Sequence, residues 1–320
     1  MGHTICMDIG GTKILGVAFD GKGREVARIK RRTKAEKGLT MIEETIVGVV
    51  EGLLKSGGLK AGEIAAISAG APGVIDTESG VILYSPNLPW RDYRIREIIE
   101  GRYGVPFHIG NDANVGVMGE WKYGAGKGHD DVVSLFWGTG IGGGVILGGK
   151  PFAGARYAGT ELGHMTLNPD GPYCNCGQRG CLEAYSSKIA ISREIKANLD
   201  RGRKSLLKDA MDEDSIFRSK ALRQALDEKD ELAHEVVAGA ARFMGVAAGS
   251  LINIFNPDVF ILGGGVMESI AKYVMPEFMR SVRRYSWPEA LAGTKIAEAE
   301  LGDEAIIYGA LAMAGDVGDP

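Results

Sequence analysis

Cysteine is scarce in this chain, four copies in 320 residues, and residues 1–6 lack the basic-then-apolar plan of a secretory signal. Both absences argue against a disulfide-built secreted protein and for a cytoplasmic chain with reduced thiols. Excess charge of either sign is also missing: 37 Lys and Arg stand against 41 Asp and Glu, a net charge of −4. Bulk electrostatics therefore gives no reason to expect nucleic acid or an anionic membrane as partner, and small molecules are the default. The one local surplus, eight basic and two acidic residues over 22–37, reads as the solvated face of a hairpin rather than a dock for an acidic partner. A membrane span is absent as well. Residues 132–149 are charge-free and long enough to be one, yet seven of these eighteen are glycine and short β-branched runs flank them, which reads as strand, turn, strand. No Walker pattern occurs, and the run Gly140-Ile-Gly-Gly-Gly144 has no acidic residue at the distance a dinucleotide site requires, so P-loop and Rossmann readings fall behind.

What is present is an ordinary globular composition, 45% apolar and 24% charged, whose length predicts about two domains able to bury a real core. Glycine is the outlier: 48 residues, about twice the usual ~7%, with no triplet period, so backbone must approach something closely. Residues 4–9 read as an apolar strand running into Gly10-Gly11-Thr12, with a second strand over 14–19. A helix is expected over 38–54, strands over 64–69, 81–83 and 105–109, and a helix through 117–123 after Gly110-Asn111-Asp112. The plan then restarts, with a strand over 132–137, a tip at Gly138-Thr139-Gly140 and a strand over 142–147. This echo of 4–19 is an internal repeat of one supersecondary unit and predicts an α/β fold of two related lobes facing across a cleft. The small lobe is placed at residues 1–117, with a C-terminal helix over 303–320, begun by a cap-like Asp303, packing back near the hinge; the larger lobe is placed at 118–302. Residues 186–250 read as mostly helical around a loop near 201–215. Small residues of the 231–253 helix, Ala240, Ala241, Gly245, Ala248 and Gly249, predict close packing within that lobe rather than across a dimer. Asn256-Pro257 ends that helix, and the strand 259–262 leads into Gly263-Gly264-Gly265 in the manner of a strand-to-helix nucleotide loop.

Residues 161–183 gather the other three cysteines. Cys174, Cys176 and Cys181, with His164 ten residues before the first, supply the ligands of a tetrahedral Zn²⁺ site, structural because no open position is left. Two reduced core thiols or a Cys-x-Cys disulfide are the alternatives; the adjacent glycines and prolines argue against a packed core, and a two-residue disulfide would be strained. A stapled 161–183 loop would aim Glu161, His164 and Glu183 at a polyhydroxylated small molecule, His164 through its second ring nitrogen.

The three glycine turns, at 10–11, 138–144 and 263–265, each follow an apolar strand, where backbone N–H groups can reach phosphate oxygens. One alone is just a turn; three in repeated lobes point to a nucleotide, with Asp8, Gly10, Gly11, Thr12, Lys13, Gly138, Thr139, Gly140, Gly263 and Gly264 as its candidate contacts. Asp112 is either a helix N-cap or a general base for a sugar hydroxyl. Asp8 either holds Mg²⁺ or its water shell, or fixes the first turn.

Taken together, Asp8-Ile-Gly-Gly-Thr-Lys13, Gly110-Asn-Asp-Ala-Asn114, Gly138-Thr-Gly-Ile-Gly-Gly-Gly144, Glu161-Leu-Gly-His164 and Cys174-x-Cys-x-x-x-x-Cys181-Leu-Glu183 closely resemble the ROK family of sugar kinases, within the hexokinase/actin-like ATPase superfamily, over nearly the whole chain. The resemblance implies two ribonuclease-H-like lobes flanking a cleft, ATP with Mg²⁺ in it, and phosphorylation of a hexose. It implies that Asp112 is the catalytic base, that Asn87, Asn111, Asp112, Glu161, His164 and Glu183 hold sugar hydroxyls, and that Gly10, Gly11, Thr12, Thr139 and Gly264 line the nucleotide site. Family members that repress transcription carry a helix-turn-helix domain before the first phosphate loop, whereas seven residues precede Asp8, so DNA binding is not expected. The 85–90 loop, Ser-Pro-Asn-Leu-Pro-Trp, resembles that of the family's glucokinases more than that of its fructokinases. Glucose is therefore expected first and N-acetylglucosamine or N-acetylmannosamine second. A sugar sensor without catalysis is the reading from a different class. The expectation is thus a cytoplasmic ATP:hexose 6-phosphotransferase with a structural Zn²⁺, assembled as a homodimer or higher homo-oligomer.

Overall fold

A computed structural model describes residues 2–86, 88–210 and 216–315. Strands β1 (His3–Ile9), β2 (Lys13–Phe19) and β3 (Glu25–Arg32) run antiparallel, and α1 (Leu39–Gly57) leads back to β4 (Ile64–Ala71), which lies parallel to β1. β1 is an inner strand, with residues 4–7 and 9 all buried, which is why it reads as a near-continuous apolar run. α1 turns Ile42, Ile46, Val49, Val50 and Leu53 inward at helical spacing and stops at Gly58, whose φ of 64° lets its N–H return to the Leu54 carbonyl. β3 has Ala27 buried and most other side chains exposed, so the basic surplus of 22–37 does lie on a solvated edge. There Arg28 pairs with Glu25 at 2.6 Å and with Glu304 at 2.7 Å.

Strands β5 (Val74–Asp76), β6 (Val81–Tyr84) and β7 (Arg91–Tyr93) form a small separate sheet. Helix α2 (Ile95–Tyr103) and strand β8 (Phe107–Asn111) follow, completing a first sheet of order β3-β2-β1-β4-β8. Helix α3 (Asp112–Tyr123) starts directly at the end of β8, runs across the 117/118 division expected above and packs against both sheets.

The second sheet repeats the first strand for strand. β9 (Val132–Trp137), β10 (Ile141–Leu147) and β11 (Lys150–Pro151) are antiparallel, as β1, β2 and β3 are. Helices α4 (Leu182–Ser186), α5 (Lys188–Asp200), α6 (Ser219–Asp227) and α7 (Glu231–Phe255) precede β12 (Val259–Gly263), which joins β9 in parallel; α8 (Gly265–Tyr285) and α9 (Pro288–Gly293) precede β13 (Lys295–Glu298), giving the order β11-β10-β9-β12-β13. The echo between residues 4–19 and 132–147 is therefore a repeat of whole mixed sheets.

α7 is long and apolar enough to cross a membrane by composition alone. Its small residues are instead spent on α8: a Cβ on Gly245 would stand 2.5 Å from the Phe278 carbonyl oxygen, and one on Gly249 3.0 Å from the Tyr285 backbone. The helix is capped by Asp230, whose carboxylate accepts the Ala233 N–H at 2.9 Å, and is closed by Asn256 at φ 44° before Pro257.

The last helix, α10 (Ala305–Met313), differs from its expected bounds. Asp303 lies within a short 3₁₀ turn, Gly302–Glu304, and its side chain caps nothing, because the turn closes itself through Glu304 N–H to the Leu301 carbonyl at 2.9 Å. Residues 316–320 of the expected helix lie outside the described residues. α10 crosses α3 at backbone contact: a Cβ on Gly309 would be 1.8 Å from the Val115 carbonyl oxygen, and one on Gly119 2.1 Å from that of Ala305.

Candidate active site

Asp8 lies near the carboxyl end of β1 and Asn111 and Asp112 at that of β8, where a parallel sheet leaves backbone groups and helix starts open to a ligand. At the end of β8, Asn111 is the N-cap of α3. Its Oδ1 accepts the N–H groups of Ala113 (3.0 Å) and Asn114 (3.2 Å), and its Nδ2 donates to the Gly73 carbonyl (3.0 Å). Asp112 is thereby relieved of capping. Its Oδ1 accepts the Ala113 N–H at 2.8 Å. Asp112 keeps some surface toward solvent, yet burial pushes its carboxyl above the ordinary carboxylate range, against the pull of the Ala113 N–H.

Asp8, near the end of β1, belongs to the same field. Burial first, then the charges of Asp112 and Asp303, push its carboxyl up to about 6, while Lys13 works the other way. Glu161 is also raised, by burial first and then by Asp112 and Glu183, with His164 opposing. Asp112 thus acts on both Asp8 and Glu161, and Glu183 on Glu161, like charges that a cation or a hydrogen-bonding ligand would relieve.

The glycine segments divide by role. At the first turn Gly10 N–H donates to the Lys13 carbonyl at 2.9 Å and the Thr33 hydroxyl to the Gly10 carbonyl at 2.5 Å; Gly10 and Gly11 are half-buried, Thr12 and Lys13 exposed. At the second, Gly138 N–H donates to the Gly140 carbonyl at 3.0 Å, and Lys188 N–H of α5 donates to the Gly138 carbonyl at 3.0 Å, with Thr139 between. At the third, Gly264 has φ 91°, and a Cβ there would stand 2.6 Å from the carbonyl oxygen of Trp137, the residue before Gly138. The turns after β9 and β12 therefore touch. Residues 142–144, by contrast, belong to strand β10 and are packed rather than open: a Cβ on Gly144 would stand 2.4 Å from Val117, and one on Gly143 2.7 Å from Leu162.

Glu183, at the start of α4, accepts the Ile141 N–H at 2.9 Å through Oε2, which ties the second glycine turn to the cysteine loop. Glu161, earlier on the same loop, directly precedes the 3₁₀ turn Leu162–His164. His164 Nδ1 stands 3.6 Å from Cys174 Sγ, Cys176 Sγ stands 3.8 Å from Cys181 Sγ, and the four donor atoms lie within 4.8 Å of one another. A Zn²⁺ with ~2.3 Å bonds to sulfur and ~2.0 Å to nitrogen has tetrahedral edges of about 3.5–3.8 Å, so two of these separations already match. All four cysteines of the chain are free thiols, and burial pushes that of Cys174 up to about 12, a group that ionises there when a cation takes the proton's place. The cluster is compatible with a zinc site. The loop is folded tightly around it: Leu182 N–H donates to the Met165 carbonyl at 2.9 Å, and Gly180 at φ 74° leaves no room for a Cβ against Asn168.

Asn87 lies outside the described residues. One polar residue near the site gave no signal in the sequence: Thr160, directly before Glu161, whose side chain meets that of Asn114, in the first turn of α3, at 2.8 Å. Asp303, read above as a cap, instead adds its charge to Asp8 and to Glu268.

The chain matches a family model described as the ROK family over residues 4–317. It is 34% identical to a glucokinase of Thermotoga maritima over 86% of this chain and 89% of that one. Among solved structures, a ROK family glucokinase from Streptomyces griseus in complex with glucose and AMPPNP is 34% identical, with a TM-score of 0.81 over 97% of this chain and 98% of that chain. A xylose repressor of Caldicellulosiruptor bescii is 32% identical over 78% of this chain and 62% of its own length.

Proposed function

Since the chain belongs to the ROK family, we propose that it is an ATP-dependent hexokinase that phosphorylates the 6-hydroxyl of glucose, with Asp112 as general base. The observation that carries this reading is the division of labour at the start of α3: Asn111 does the capping, and Asp112 keeps Oδ2 for chemistry in a setting that raises its basicity.

Asn87, Asn111, Glu161, His164 and Glu183 hold and orient the sugar hydroxyls. Asp112 accepts the 6-hydroxyl proton at Oδ2 as the sugar's O6 attacks the γ-phosphorus of ATP in line, and the bond from phosphorus to the β,γ-bridging oxygen breaks to release ADP. Backbone N–H groups of the 10–12, 138–140 and 263–264 turns, other than those of Gly10 and Gly138 that close the turns themselves, face the phosphates, and Lys13 adds a positive charge. Asp8 would hold the Mg²⁺ that accompanies ATP, directly or through water. That cation would neutralise charge developing on the phosphates and relieve the repulsion that lifts Asp8. Zn²⁺ at His164, Cys174, Cys176 and Cys181 would serve as a staple that fixes the segment bearing Glu161.

A second reading, a sugar sensor without catalysis, has one observation behind it, the likeness to a xylose repressor. The glucokinase likeness runs over nearly the full length of both chains, which favours the enzyme. The test is release of ADP from MgATP in a coupled assay with glucose, mannose, fructose, N-acetylglucosamine and N-acetylmannosamine in turn. Turnover greatest with glucose is expected. Saturable sugar binding with no ADP from any member would overturn the kinase reading, and a preference for an N-acetyl sugar would overturn the choice of substrate.

A further inference from the structure

Thr160 is a β-branched residue at φ 64°, in the left-handed region where such side chains are outliers. Glu161, which follows it, has φ −70° and ψ 58°, the conformation of an inverse γ-turn, and that turn is closed by Leu162 N–H donating to the Thr160 carbonyl at 2.7 Å. The backbone of Glu161 is thus set by the residue before it.

The side chain of Thr160 explains why that backbone holds. Its Oγ1 stands 2.8 Å from the Asn114 side-chain amide and 2.6 Å from the Gly159 carbonyl oxygen. A hydroxyl has one proton to give. Both contacts are satisfied together when Thr160 donates to Gly159 and the Asn114 amide is turned so that its nitrogen donates to Oγ1. Asn114 is itself fixed, because its N–H donates to the Asn111 cap at 3.2 Å. An unbroken polar path therefore runs from the end of β8, through the first turn of α3 that carries Asp112, to the residue that orients Glu161.

On the other side of Glu161 the chain is anchored by packing. Leu162 lies on Gly143 of β10, a Cβ on Gly163 would be 2.0 Å from the Ile141 carbonyl oxygen, and His164 N–H donates to the Glu161 carbonyl at 2.9 Å. Those contacts fix the position of the turn along β10. They do not fix its approach to Asp112, and two like-charged carboxylates in mutual reach tend to separate. We propose that Asn114 and Thr160 form a positioning pair that holds Glu161 at its working distance from Asp112, so that loss of the Thr160 hydroxyl loosens sugar binding while nucleotide binding is kept. This rests on the reading of Glu161 as a sugar ligand.

The test is two-substrate kinetics on the full-length protein with glucose and MgATP, with thermal denaturation and zinc content measured on each variant. Thr160→Val keeps the branch at Cβ and removes the hydroxyl; we expect a glucose KM raised about five- to twentyfold, the loss of one such hydrogen bond, with the KM for ATP and the zinc content unchanged. Thr160→Ser keeps the hydroxyl and should restore the glucose KM to within about twofold of wild type. Asn114→Ala should reproduce Thr160→Val, and the double variant should be no worse than either single one, since both remove the same link. Glucose KM unchanged in Thr160→Val, additive losses in the double variant, or equal increases in both KM values would overturn the pairing. Should Thr160→Val fail to fold, the contrast between Asn114→Ala and Thr160→Ser decides by the same criteria. Glu161→Gln is the separate control: if it leaves the glucose KM unchanged, the sugar-ligand reading fails, whatever the pair does.

Discussion

Glu120 is the sharpest place to test how this fold is held together. It lies on α3, eight positions after Asp112, and is wholly buried. Its Oε2 accepts the N–H groups of Ala125 at 3.0 Å and Glu300 at 3.1 Å, and its Oε1 accepts that of Leu301 at 2.8 Å. One carboxylate thereby closes the end of α3 and pins the segment between β13 and α10. Replacing it with alanine leaves three backbone donors without their acceptor in a dry site. At ~1–2 kcal/mol for each, the variant should lose about 3–6 kcal/mol, a large part of the ~5–15 kcal/mol that holds a typical domain. Glutamine keeps the shape. Its carbonyl oxygen can take the place of Oε2 and serve Ala125 and Glu300, but its NH₂ then points at the Leu301 N–H, donor against donor. One bond and the charge assistance of the others are lost, about 1–3 kcal/mol. Urea denaturation followed by tryptophan fluorescence reads both variants, since Trp121 is adjacent, and an unchanged slope assigns the shift in midpoint to stability. The reasoning is refuted if Glu120→Gln falls as far as Glu120→Ala, or if Glu120→Ala stays within ~0.5 kcal/mol of wild type.

Asp112→Asn should cut kcat by about 10²- to 10⁴-fold and yet raise the melting temperature at pH 7. The folded-state carboxyl is raised, so its stabilising contribution is present below the unfolded pKa and lost as pH rises through the folded value; the gain from Asn should shrink toward pH 4, and a variant less stable than wild type at pH 7 would reject the burial argument. In the wild type, kcat/KM should fall with acid at a pH above the ordinary carboxylate range, and any residual activity of Asp112→Asn should lack that limb. Metal analysis should find about one Zn per chain; Cys181→Ser or chelation should remove it, lower the melting temperature and raise the glucose KM, and a metal-free protein of full stability and activity would contradict the site. Gly143→Ala, which pushes on Leu162, should raise mainly the glucose KM at a cost of ~1–3 kcal/mol in stability, whereas Gly264→Ala, strained at φ 91° and pressed on Trp137, should raise mainly the ATP KM.

What could be read from the sequence was what repeats or clusters locally. The hairpin at 4–19 and its echo at 132–147 combine apolar strands with a glycine tip within twenty residues, and the structure extends that echo to two sheets of the same order. The cysteine window was legible for the same reason, since three soft ligands fall within eight residues. Strands β5, β6 and β7 were harder, because three or four residues are too few to show a period, and only 81–83 stood out. Asp303 misled because an aspartate before an apolar run is an ordinary cap signal, whereas the chain makes its turn through backbone bonds alone. Thr160 and Asn114 are separated by 46 positions, and Glu120 by 180 and 181 from two of its donors. No local spacing encodes such partners, and a glutamate in a helix reads as a solvated face.

Part of the glycine content is explained by α3. This helix touches both sheets and α10, and at each crossing the neighbour comes to backbone distance: Gly144 and Gly142 of β10 against Val117 and Ala113, Gly116 against Phe136, Gly119 and Gly309 between α3 and α10. Side chains at those positions would move β10 and α10 off α3 by roughly the radius of a methyl group, ~2 Å. Asp112 stands at the start of α3 and Glu161 reaches β10 through Leu162 on Gly143, so the same displacement would separate these two carboxylates, the proposed base and sugar ligand, by a comparable distance. A misplacement of ~1 Å is enough to cost about a hundredfold in a reaction that depends on alignment. Three of the glycines that read as phosphate loop, Gly142, Gly143 and Gly144, are therefore spent on packing β10 against α3 and Leu162, which leaves the turns at 10–11, 138–140 and 263–264 for the proposed nucleotide.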